Sequence, residues 1–410
     1  MRIAVWHNLP SGGGKRALNY HVRGLAAQGH HVEVWCPDTA DQDYLPLREL
    51  AEEHVLPFRW REGTCPLPVL RSMPEYVTVR GRLRAMHEHC EECAEQMVSR
   101  GFDLLFAGSC KFFGAPAIAC HAGLPSVLYL QEPFRRLYEA LPEFPWAALR
   151  RRASFRARIR DLVKIRAMRI HAREEIAHAG AFGRILVNSR FSREGILRTY
   201  GLESKVCYLG VDTDLFRPSG RPRERFVVAL GGLYAGKGAD RAVRAIGAIP
   251  GDKRPGLVWI GNFSEPSYQR EIETLATGCG VEMSLKIGLP DSDVVECLSR
   301  ASVMIYTPRL EPFGFAPLEA NACGTPVVAI AEGGVRETIE DGVNGYLVDD
   351  DDPQALGEAL LRLLDDPESS RQMGERARRH VESRWSLEKA VDRLEEHLQA
   401  TATGSAESND

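Results

Sequence analysis

The strongest constraint on the fold is a regular alternation of short apolar runs with longer segments of helical pattern. Runs rich in Val, Ile and Leu are typical of parallel strands buried on both faces, with helices crossing between them. One series of runs lies at 3–6, 32–35, 104–107, 127–130 and 185–187. A second series lies at 226–230, 257–260, 283–286, 303–306, 327–330 and 346–348. The sequence of 410 residues therefore predicts an α/β protein with two doubly wound, Rossmann-like domains.

A stretch rich in Pro, Ser, Gly and Arg separates the two series, at 216–225, and its composition is typical of an exposed linker. We therefore predict a first domain over 1–215 and a second over 226–380. We further predict a C-terminal helix over 381–400 that crosses back to the first domain, followed by a disordered polar tail at 401–410. Ligands of such sheets bind beyond the carboxyl ends of the strands, so the expected site is a cleft between the domains.

Charge and apolar content exclude several classes of protein. With 52 basic and 56 acidic residues, the net charge of -4 gives no general attraction to nucleic acid. No run approaches the roughly 20 apolar residues of a membrane span. The first apolar run leads directly to His7, Asn8 and Pro10, without the apolar core of a signal peptide. We expect a cytoplasmic enzyme.

The ten cysteines are irregularly spaced, which favours reduced thiols over a disulfide framework. One cluster resembles a set of metal ligands and contains His87, His89, Cys90 and Cys93. It lies in a segment, 81–99, that is predicted to be one continuous helix, and no second Cys/His pair with zinc-finger spacing follows it. We therefore expect no metal site there.

The first candidate ligand loop follows the first apolar run. Gly12, Gly13 and Gly14 precede a helix that is predicted to begin near Arg16. Glycines let the backbone approach a ligand closely and leave amides free at a helix N-terminus, which suits an anion. The spacing does not match the dinucleotide-binding fingerprint, and a plain tight turn is the alternative.

The second candidate loop, 231–238, reads GGLYAGKG and also stands between a strand and a helix. Its spacing nearly matches a Walker A loop, but Gly238 occupies the position of the Ser or Thr hydroxyl that would hold magnesium. This difference disfavours an ATPase or GTPase. A lysine, Lys237, on a glycine-rich loop still favours a phosphate or diphosphate ligand, with an exposed lysine in a turn as the alternative.

A pair of glutamates in the segment PRLEPFGFAPLEANACGTPVVA is the most informative feature of the chain. Glu311 lies on a loop at the end of a strand, and Glu319 lies in the short helix that follows. The amides of Gly314 and Phe315 stand at the start of that helix and suit an anionic oxygen. A carboxylate accepts two hydrogen bonds at once, as vicinal sugar hydroxyls require. The alternative is that Glu311 caps the helix and Glu319 faces solvent.

Taken in order, these motifs resemble those of glycosyltransferase family 4, and the resemblance extends from residue 1 to about 397. It implies a retaining, nucleotide-sugar-dependent enzyme of the GT-B fold. The segments that carry the resemblance are Glu311-x7-Glu319, 231–238, the Gly333 and Gly334 pair before Glu337, 342–347 (GVNGYL), 188–190 (NSR) and 210–216 (GVDTDLF).

The resemblance also implies roles for individual residues. Glu319 would bind the nucleotide ribose, Glu311 would lie against the donor sugar near the reacting centre, and Lys237 would neutralise the diphosphate. The remaining donor contacts would come from the backbone of Phe313, Gly314 and Phe315 and from Gly13 and Gly14.

Two positions depart from the family pattern. The family usually places Arg after the first glycine of the second-domain loop, where this chain has Gly232. It often places His after the strand at 127–130, where this chain has Gln131. Each change removes an expected contact to the donor. Arg309 and Arg136 are candidate replacements for the missing cation.

The activity implied is transfer of a hexose from a UDP- or GDP-sugar to an acceptor hydroxyl, with the leaving phosphate accepting the hydroxyl proton. Stabilising the departing diphosphate then needs Lys237 and helix N-termini, and no metal ion or other cofactor. Two alternatives use the same nucleotide site: a GT-B sugar-nucleotide epimerase, and a catalytically impaired binding partner.

The acceptor is expected to bind the first domain, and to be a sugar, a lipid-linked molecule or another small molecule. Between 147 and 173 there are nine Arg, one Lys and one Asp, with apolar residues at helical spacing. A basic amphipathic helix of this kind can lie on an anionic membrane. A solvated arginine-rich face and a patch for an anionic acceptor are the alternatives.

Overall fold

The computed structural model describes residues 1–60, 74–138, 155–349 and 352–404. The chain divides into two compact units. The first domain comprises Met1–Cys207 with Val391–Asp410, and the second comprises Tyr208–Ala390. The change of domain therefore falls at 207/208, ahead of the predicted boundary at 215, and the last part of the chain returns to the first domain.

The first domain is built on a parallel sheet. Within the described ranges its strands are β1 (Arg2–Asn8), β2 (His31–Pro37), β3 (Glu52–Leu56), β4 (Leu104–Cys110), β5 (Ser126–Tyr129), β6 (Arg184–Val187) and β7 (Lys205–Val206). They are ordered β3-β2-β1-β4-β5-β6-β7. The five predicted runs all fall on strands of this sheet. The sequence did not predict β3 or β7, because the first is polar and the second has only two residues.

The helices of the first domain are α1 (Gly13–Ala27), α2 (Pro74–Ser99), α3 (Ala119–Ala122), α4 (Arg135–Tyr138), α5 (Phe155–Gly180) and α6 (Arg190–Tyr200). The predicted helix over 81–99 is part of α2. The start predicted near Arg16 is wrong, because α1 already begins at Gly13. Buried side chains such as Trp6, Trp35 and Met86 fill the core of this domain.

The second domain repeats the architecture. Its strands are β8 (Glu224–Leu230), β9 (Gly256–Gly261), β10 (Met283–Ile287), β11 (Ala301–Tyr306), β12 (Val327–Ile330) and β13 (Gly345–Val348). They form a parallel sheet in the order β10-β9-β8-β11-β12-β13. Each predicted run of the second series lies within one of these strands. The near-continuous apolar pattern succeeds as a predictor because both faces of this sheet are covered.

The helices that cover the second sheet are α7 (Ala239–Gly247), α8 (Pro266–Gly278), α9 (Asp291–Arg300), α10 (Phe315–Ala322), α11 (Val335–Thr338), α12 (Pro353–Leu364) and α13 (Pro367–Arg384). A short 3₁₀ turn, Ala235–Lys237, stands between β8 and α7. Proline at the first position of α8, α12 and α13 suits helix starts, since the first amides of a helix have no partner within it.

The segment predicted as a linker lies inside the second domain rather than between the two domains. Most of its residues are exposed, as its composition suggests. Phe216 is buried and Arg223 is half-buried. The Arg223 guanidinium donates to the carbonyls of Ala301 at 2.6 Å and Gly324 at 2.5 Å and to the Thr325 hydroxyl at 2.8 Å. Burial lowers the pKa of Arg223, and these acceptors replace the lost water.

The C-terminal helix α14 (Leu387–Thr403) carries the chain back into the first domain from Val391 onward. Gln28 donates to Asp392 at 3.0 Å, and His30 lies 2.9 Å from a carboxylate oxygen of Glu395. Gly24 of α1 leaves room for Val391, because a Cβ there would lie 2.2 Å from the valine Cγ2. The helix runs into the tail predicted at 401–410, of which 405–410 lie outside the described residues.

Within the described ranges, no helix combines the length and the apolar character that crossing a membrane requires.

Candidate functional site in the second domain

The glycine-rich loop after β8 has a backbone that only glycine tolerates at two points. Gly231 has φ 154° and Gly238 has φ 70°. Trp259 Nε1 donates to the Gly231 carbonyl at 2.8 Å, and the Thr307 hydroxyl donates to the Gly238 carbonyl at 2.8 Å. A Cβ on Gly238 would lie 2.4 Å from the backbone carbonyl oxygen of Thr307, so the loop is fixed tightly against the end of β11.

Lys237 and Glu311 meet at the carboxyl edge of the sheet. The Lys237 ammonium donates to both carboxylate oxygens of Glu311, at 2.8 Å and 2.9 Å. The two residues follow neighbouring strands, β8 and β11, which explains how positions 74 apart in the sequence come together. Their side chains are 21% and 18% exposed, so the pair is accessible from solvent yet partly desolvated. The structure thus joins two residues that the sequence selected separately.

The backbone of Glu311 is held by the glycine pair that the sequence singled out. Gly334 N–H donates to the Glu311 carbonyl at 2.8 Å. A Cβ on Gly333 would lie 2.3 Å from the same carbonyl oxygen, and one on Gly334 would lie 2.1 Å from the Pro312 oxygen. Both positions therefore require glycine for close backbone approach.

Tyr306, the last residue of β11, lies close to the Glu311 side chain. Burial, followed by the negative charge of Glu311, raises the pKa of Tyr306 well above its ordinary value. The phenol therefore stays neutral. The Glu311 carboxylate is oriented by the Lys237 ammonium, which contacts both of its oxygens.

Helix α10 begins directly after this loop. Its N-cap is Gly314 with φ 96°, and no side chain caps it, so Glu311 does not serve as the helix cap. Phe313 is buried, and its ring contacts that of Phe315 with centroids 6.1 Å apart. Glu319 is only 6% exposed, so the alternative of a solvated face is wrong.

The candidates in the first domain lie together at the start of α1. Gly12 has φ 134°, and a Cβ on either Gly12 or Gly13 would meet nothing within 4 Å. A Cβ on Gly14 would lie 3.5 Å from Nε2 of Gln131, which follows β5. The structure therefore brings Gln131 beside the glycine run.

Sequence reasoning missed a buried polar group beneath that glycine run. Lys15 is fully buried, and within the described part of the chain its ammonium has no hydrogen-bond partner. Burial lowers the pKa of Lys15 and that of His7, whose side chain lies close by. The only signal in the sequence was a lysine directly after Gly14, which by itself indicates nothing about burial.

His7, Cys36 and Glu53 lie on adjacent strands with their ligand atoms within 4.8 Å of one another. Leu9 N–H donates to Nδ1 of His7 at 3.3 Å, so the neutral ring carries its proton on Nε2. Nε2 faces the carboxylate of Glu53 at 4.0 Å and has no lone pair to offer a cation. This arrangement does not fit a metal ion.

Glu175 on α5 is a second buried group that the sequence did not select. Its carboxylate accepts from the backbone amides of Gly114 and Phe134, each at 3.2 Å, and lies 3.0 Å from His171 Nε2. The Tyr200 hydroxyl also donates to it. Glu175 thereby fixes the loops that follow β4 and β5, including the one that carries Gln131.

The histidines of the metal-like cluster on α2 contact residues outside the cluster. His89 Nε2 accepts from Trp6 Nε1 at 3.3 Å and lies 3.4 Å from the Cys93 thiol, while His87 contacts His121 at 3.0 Å. Burial lowers the pKa of His89 to about 4. Among the described residues these side chains do not form a converging ligand set.

The two candidate replacements for the missing cation differ. Arg309 Nε donates to a carboxylate oxygen of Glu332 at 2.6 Å, so its charge already has a counterion. The side chain of Arg136 lies outside the described residues.

The position after Gly231 is covered by an aromatic ring: a Cβ on Gly232 would lie 2.6 Å from Cε1 of Phe263.

Solved structures of low sequence identity share the fold over nearly the whole chain. Sucrose-phosphate synthase from Thermosynechococcus elongatus has a TM-score of 0.73 at 19% identity, covering 99% of this chain and 100% of that one. Anabaena Alr3699/HepE in complex with UDP and glucose has a TM-score of 0.70 at 18% identity, covering 98% and 100%. The protein has the GT-B fold, with two parallel-sheet α/β domains.

Curated relatives align over part of their length. A D-inositol 3-phosphate glycosyltransferase of Xylanimonas cellulosilytica is 35% identical over 204 residues, 44% of this chain and 48% of the relative. The GDP-mannose-dependent alpha-(1-6)-phosphatidylinositol monomannoside mannosyltransferase of Mycolicibacterium smegmatis is 31% identical over 232 residues, 51% of this chain and 60% of the relative. The chain thus spans about half the length of the curated relatives it matches.

Two family models cover most of the chain. The model described as Glycosyltransferase Family 4 matches residues 11–215, and the one described as Glycosyl transferases group 1 matches residues 211–380. The order of the two matches follows the order of the two domains. The chain therefore belongs to glycosyltransferase family 4.

Proposed function

We propose that this protein is a retaining glycosyltransferase that moves a hexose from a nucleoside-diphosphate sugar to an acceptor hydroxyl. The observation that carries the proposal is the pairing of Lys237 with Glu311 at the carboxyl edge of the second sheet. A cation for the diphosphate and a carboxylate for the sugar are thereby held within one hydrogen bond of each other. Similarity to HepE, whose structure contains UDP and glucose, supports a donor of this class.

In the proposed reaction the protein stabilises the leaving group. Lys237 stabilises the negative charge that develops on the diphosphate as the bond between the sugar and the diphosphate breaks. The amides at the start of α10 add a second source of positive potential. A leaving phosphate oxygen accepts the proton of the acceptor hydroxyl as the new bond forms on the same face of the sugar. We propose that this arrangement works without a metal ion or other cofactor.

Glu319 is proposed to bind the ribose of the donor. Its two carboxylate oxygens match a pair of vicinal hydroxyls, and its buried position on α10 limits competition from water. Glu311 is proposed to contact the donor sugar, since Lys237 fixes its orientation through both carboxylate oxygens. The glycines at 12–14 and Gln131 are proposed as donor contacts from the first domain.

A donor panel tests the activity. Purified protein would be incubated with UDP-, GDP- and ADP-sugars, with and without candidate acceptors, and nucleotide release and product would be followed by NMR. Nucleotide release that depends on the acceptor, with an α-linked product from an α-linked donor, is the expected result. A changed sugar without an acceptor would instead identify an epimerase, and binding without turnover would identify an impaired partner.

We propose that the acceptor is a lipid or lipid-linked molecule, reached at the cytoplasmic face of a membrane. Helix α5 presents Leu162, which is 66% exposed, on the same face as the exposed Arg166, Arg169 and Arg173. With Arg80 of α2, these arginines line a cavity of about 380 Å³. The part of the basic segment at 147–154 lies outside the described residues.

Sedimentation with liposomes tests this contact. Vesicles that contain anionic phospholipid should bind the protein at low salt and release it at high salt. Leu162→Asp should weaken binding, whereas Leu197→Asp, a matched change at a 48% exposed leucine of α6, should not. Failure to bind at low salt would remove the membrane from the proposal and leave an anionic soluble acceptor.

A further inference from the structure

The ring of Phe263 takes the space that a side chain at position 232 would need. A Cβ on Gly232 would lie 2.6 Å and 2.8 Å from two carbons of that ring, closer than carbon atoms approach. Gly232 is buried beneath the ring, while the ring itself is 45% exposed. The family's usual arginine at this position is therefore replaced by an aromatic surface supplied from another loop.

Backbone hydrogen bonds hold the loop that carries the ring. Leu233 N–H donates to the Phe263 carbonyl at 2.9 Å, and Glu265 N–H donates to the Leu233 carbonyl at 2.9 Å. These bonds join the loop after β9 to the loop after β8. The Tyr234 ring lies parallel to that of Phe263, with centroids 5.7 Å apart and 13° between the planes. An aromatic pair that is fixed in advance loses little freedom when a ligand binds to it.

A second exposed apolar side chain stands at the same edge. Among the described residues of the second domain, the large hydrophobic side chains with the greatest exposure are Phe263 and Ile287, at 45% and 40%. Ile287 ends β10 opposite Gly261, which ends β9, and Gly288 N–H donates to the Gly261 carbonyl at 2.8 Å. Two apolar groups left in water at the ligand-binding edge of a sheet indicate a surface that a ligand covers.

The strand order assigns this surface to one end of the donor. In the order β10-β9-β8-β11, the loop with Lys237 follows β8, Glu311 follows β11, and Phe263 and Ile287 follow β9 and β10. The apolar surface therefore lies on the side of Lys237 opposite to Glu311. If Lys237 binds the diphosphate and Glu311 contacts the sugar, the apolar surface faces the nucleoside.

We propose that Phe263, supported by Tyr234 and Ile287, is the stacking surface for the nucleobase of the donor. The inference rests on the proposed function, because the position of the base is deduced from the role of Lys237. Planar bases stack on aromatic rings whatever their hydrogen-bonding pattern, so the surface accepts a purine or a pyrimidine. In this chain, stacking of the base on Phe263 would supply donor binding that the second cation supplies in the usual family pattern.

Calorimetry with UDP, GDP and inorganic pyrophosphate tests the assignment. Phe263→Ala should weaken UDP and GDP binding about 10- to 100-fold and leave pyrophosphate binding unchanged, because only the nucleotides carry a base. Lys237→Ala should weaken the binding of all three ligands. Phe263→Leu keeps the apolar bulk and serves if the alanine variant does not fold, and Leu197→Ala is the matched change at an exposed apolar residue elsewhere.

The outcomes separate the two proposals. Equal binding of UDP by Phe263→Leu, Phe263→Ala and the unchanged protein would overturn the stacking role while leaving the proposed function intact. An equal loss of pyrophosphate binding would also overturn it, because the ring would then act on the phosphates. If the unchanged protein binds neither UDP nor GDP, the proposed function itself fails.

A double variant tests the steric premise. Gly232→Arg alone should weaken UDP binding, since the side chain and the Phe263 ring compete for the same space. In Gly232→Arg/Phe263→Ala the arginine should fit, so pyrophosphate should bind more tightly than it does to Phe263→Ala. Unchanged UDP binding by Gly232→Arg alone would show that the ring does not exclude a side chain there.

Discussion

The two domains each place a lysine at the end of a glycine run that follows their first apolar strand, but the two lysines have opposite surroundings. In the first domain, α1 begins at Gly13, so Lys15 is already part of a helix and points into the domain, where it is fully buried. In the second, a 3₁₀ turn precedes α7 and keeps Lys237 at the edge of the sheet, beside Glu311. The difference shows that the start of the helix, rather than the glycine run, decides whether the lysine lies at the edge of the sheet or inside the domain.

The largest expected effect distinguishes the two lysines by activity. Lys237→Ala should lower turnover by two or more orders of magnitude, because loss of one donor to developing charge raises the barrier by about 3–4 kcal/mol. Lys15→Met is the matched change and should lower turnover less than tenfold. Steady-state kinetics with the donor found in the panel would measure both. Near-normal turnover of Lys237→Ala would show that its role is wrong.

Acid should destabilise the first domain more than the second. Burial lowers the pKa of His21 to about 3 and those of His89 and His178 to about 4, and all three lie in the first domain. Because the unfolded chain binds protons from about pH 6.5 downward while these folded sites do not, stability falls as pH falls. At pH 5, each of these histidines lowers the free energy of unfolding by about 2 kcal/mol relative to its value well above pH 6.5.

Proteolysis in a urea gradient at pH 7 and pH 5, with fragments identified by mass spectrometry, would follow the two domains separately. The second domain contains a single histidine, His380, and serves as the internal reference. An equal shift of both unfolding midpoints would contradict the prediction.

A smaller effect is expected from removing the buried ammonium. Lys15→Met should raise the free energy of unfolding by about 1–3 kcal/mol, since it removes a buried donor without a partner among the described residues. The lowered pKa of Lys15 means that the unfolded chain binds the extra proton, so stability rises with pH up to about 10.4. The Lys15→Met variant should lack the part of this increase in unfolding free energy that Lys15 causes. Urea melts at neutral and alkaline pH would show it, with Lys253→Met as a solvent-exposed control.

The smallest expected effect is that of chelation. If Lys237 and the start of α10 supply the positive charge, EDTA should leave the rate within a factor of two of its original value. Dialysed enzyme assayed with and without added Mg²⁺ or Mn²⁺ would check this. A large loss that a divalent ion restores would mean that side chains alone do not neutralise the diphosphate.

The apolar runs were sufficient to predict nearly all of both sheets, because strands covered on two faces leave a strong pattern in the sequence. β3 was missed because Glu53 and His54 satisfy their polar groups inside the domain, which composition does not reveal. The first compact unit ends at Cys207, before the predicted boundary at 215, and composition does not show this because exposed residues near 220 look the same inside a domain as between domains.

The candidate site was predicted as separate motifs, and the structure supplied their pairing. The sequence selected Lys237, Glu311 and the glycines at 333 and 334, since these residue types at this spacing are unusual. It did not predict that Phe263 covers Gly232, because the contact joins loops about 30 residues apart and no local pattern marks it. Glu175 was missed for the same reason, and Lys15 was missed because a lysine directly after Gly14 does not reveal its burial.

The return of α14 also affects the order in which the domains mature. The first domain is interrupted by the whole of the second, since residues from Val391 onward complete it against α1 and the turn that follows α1. During synthesis the second domain has all of its residues before the first does. The first domain must wait for its last helix, with the surface around Gly24 uncovered until Val391 leaves the ribosome.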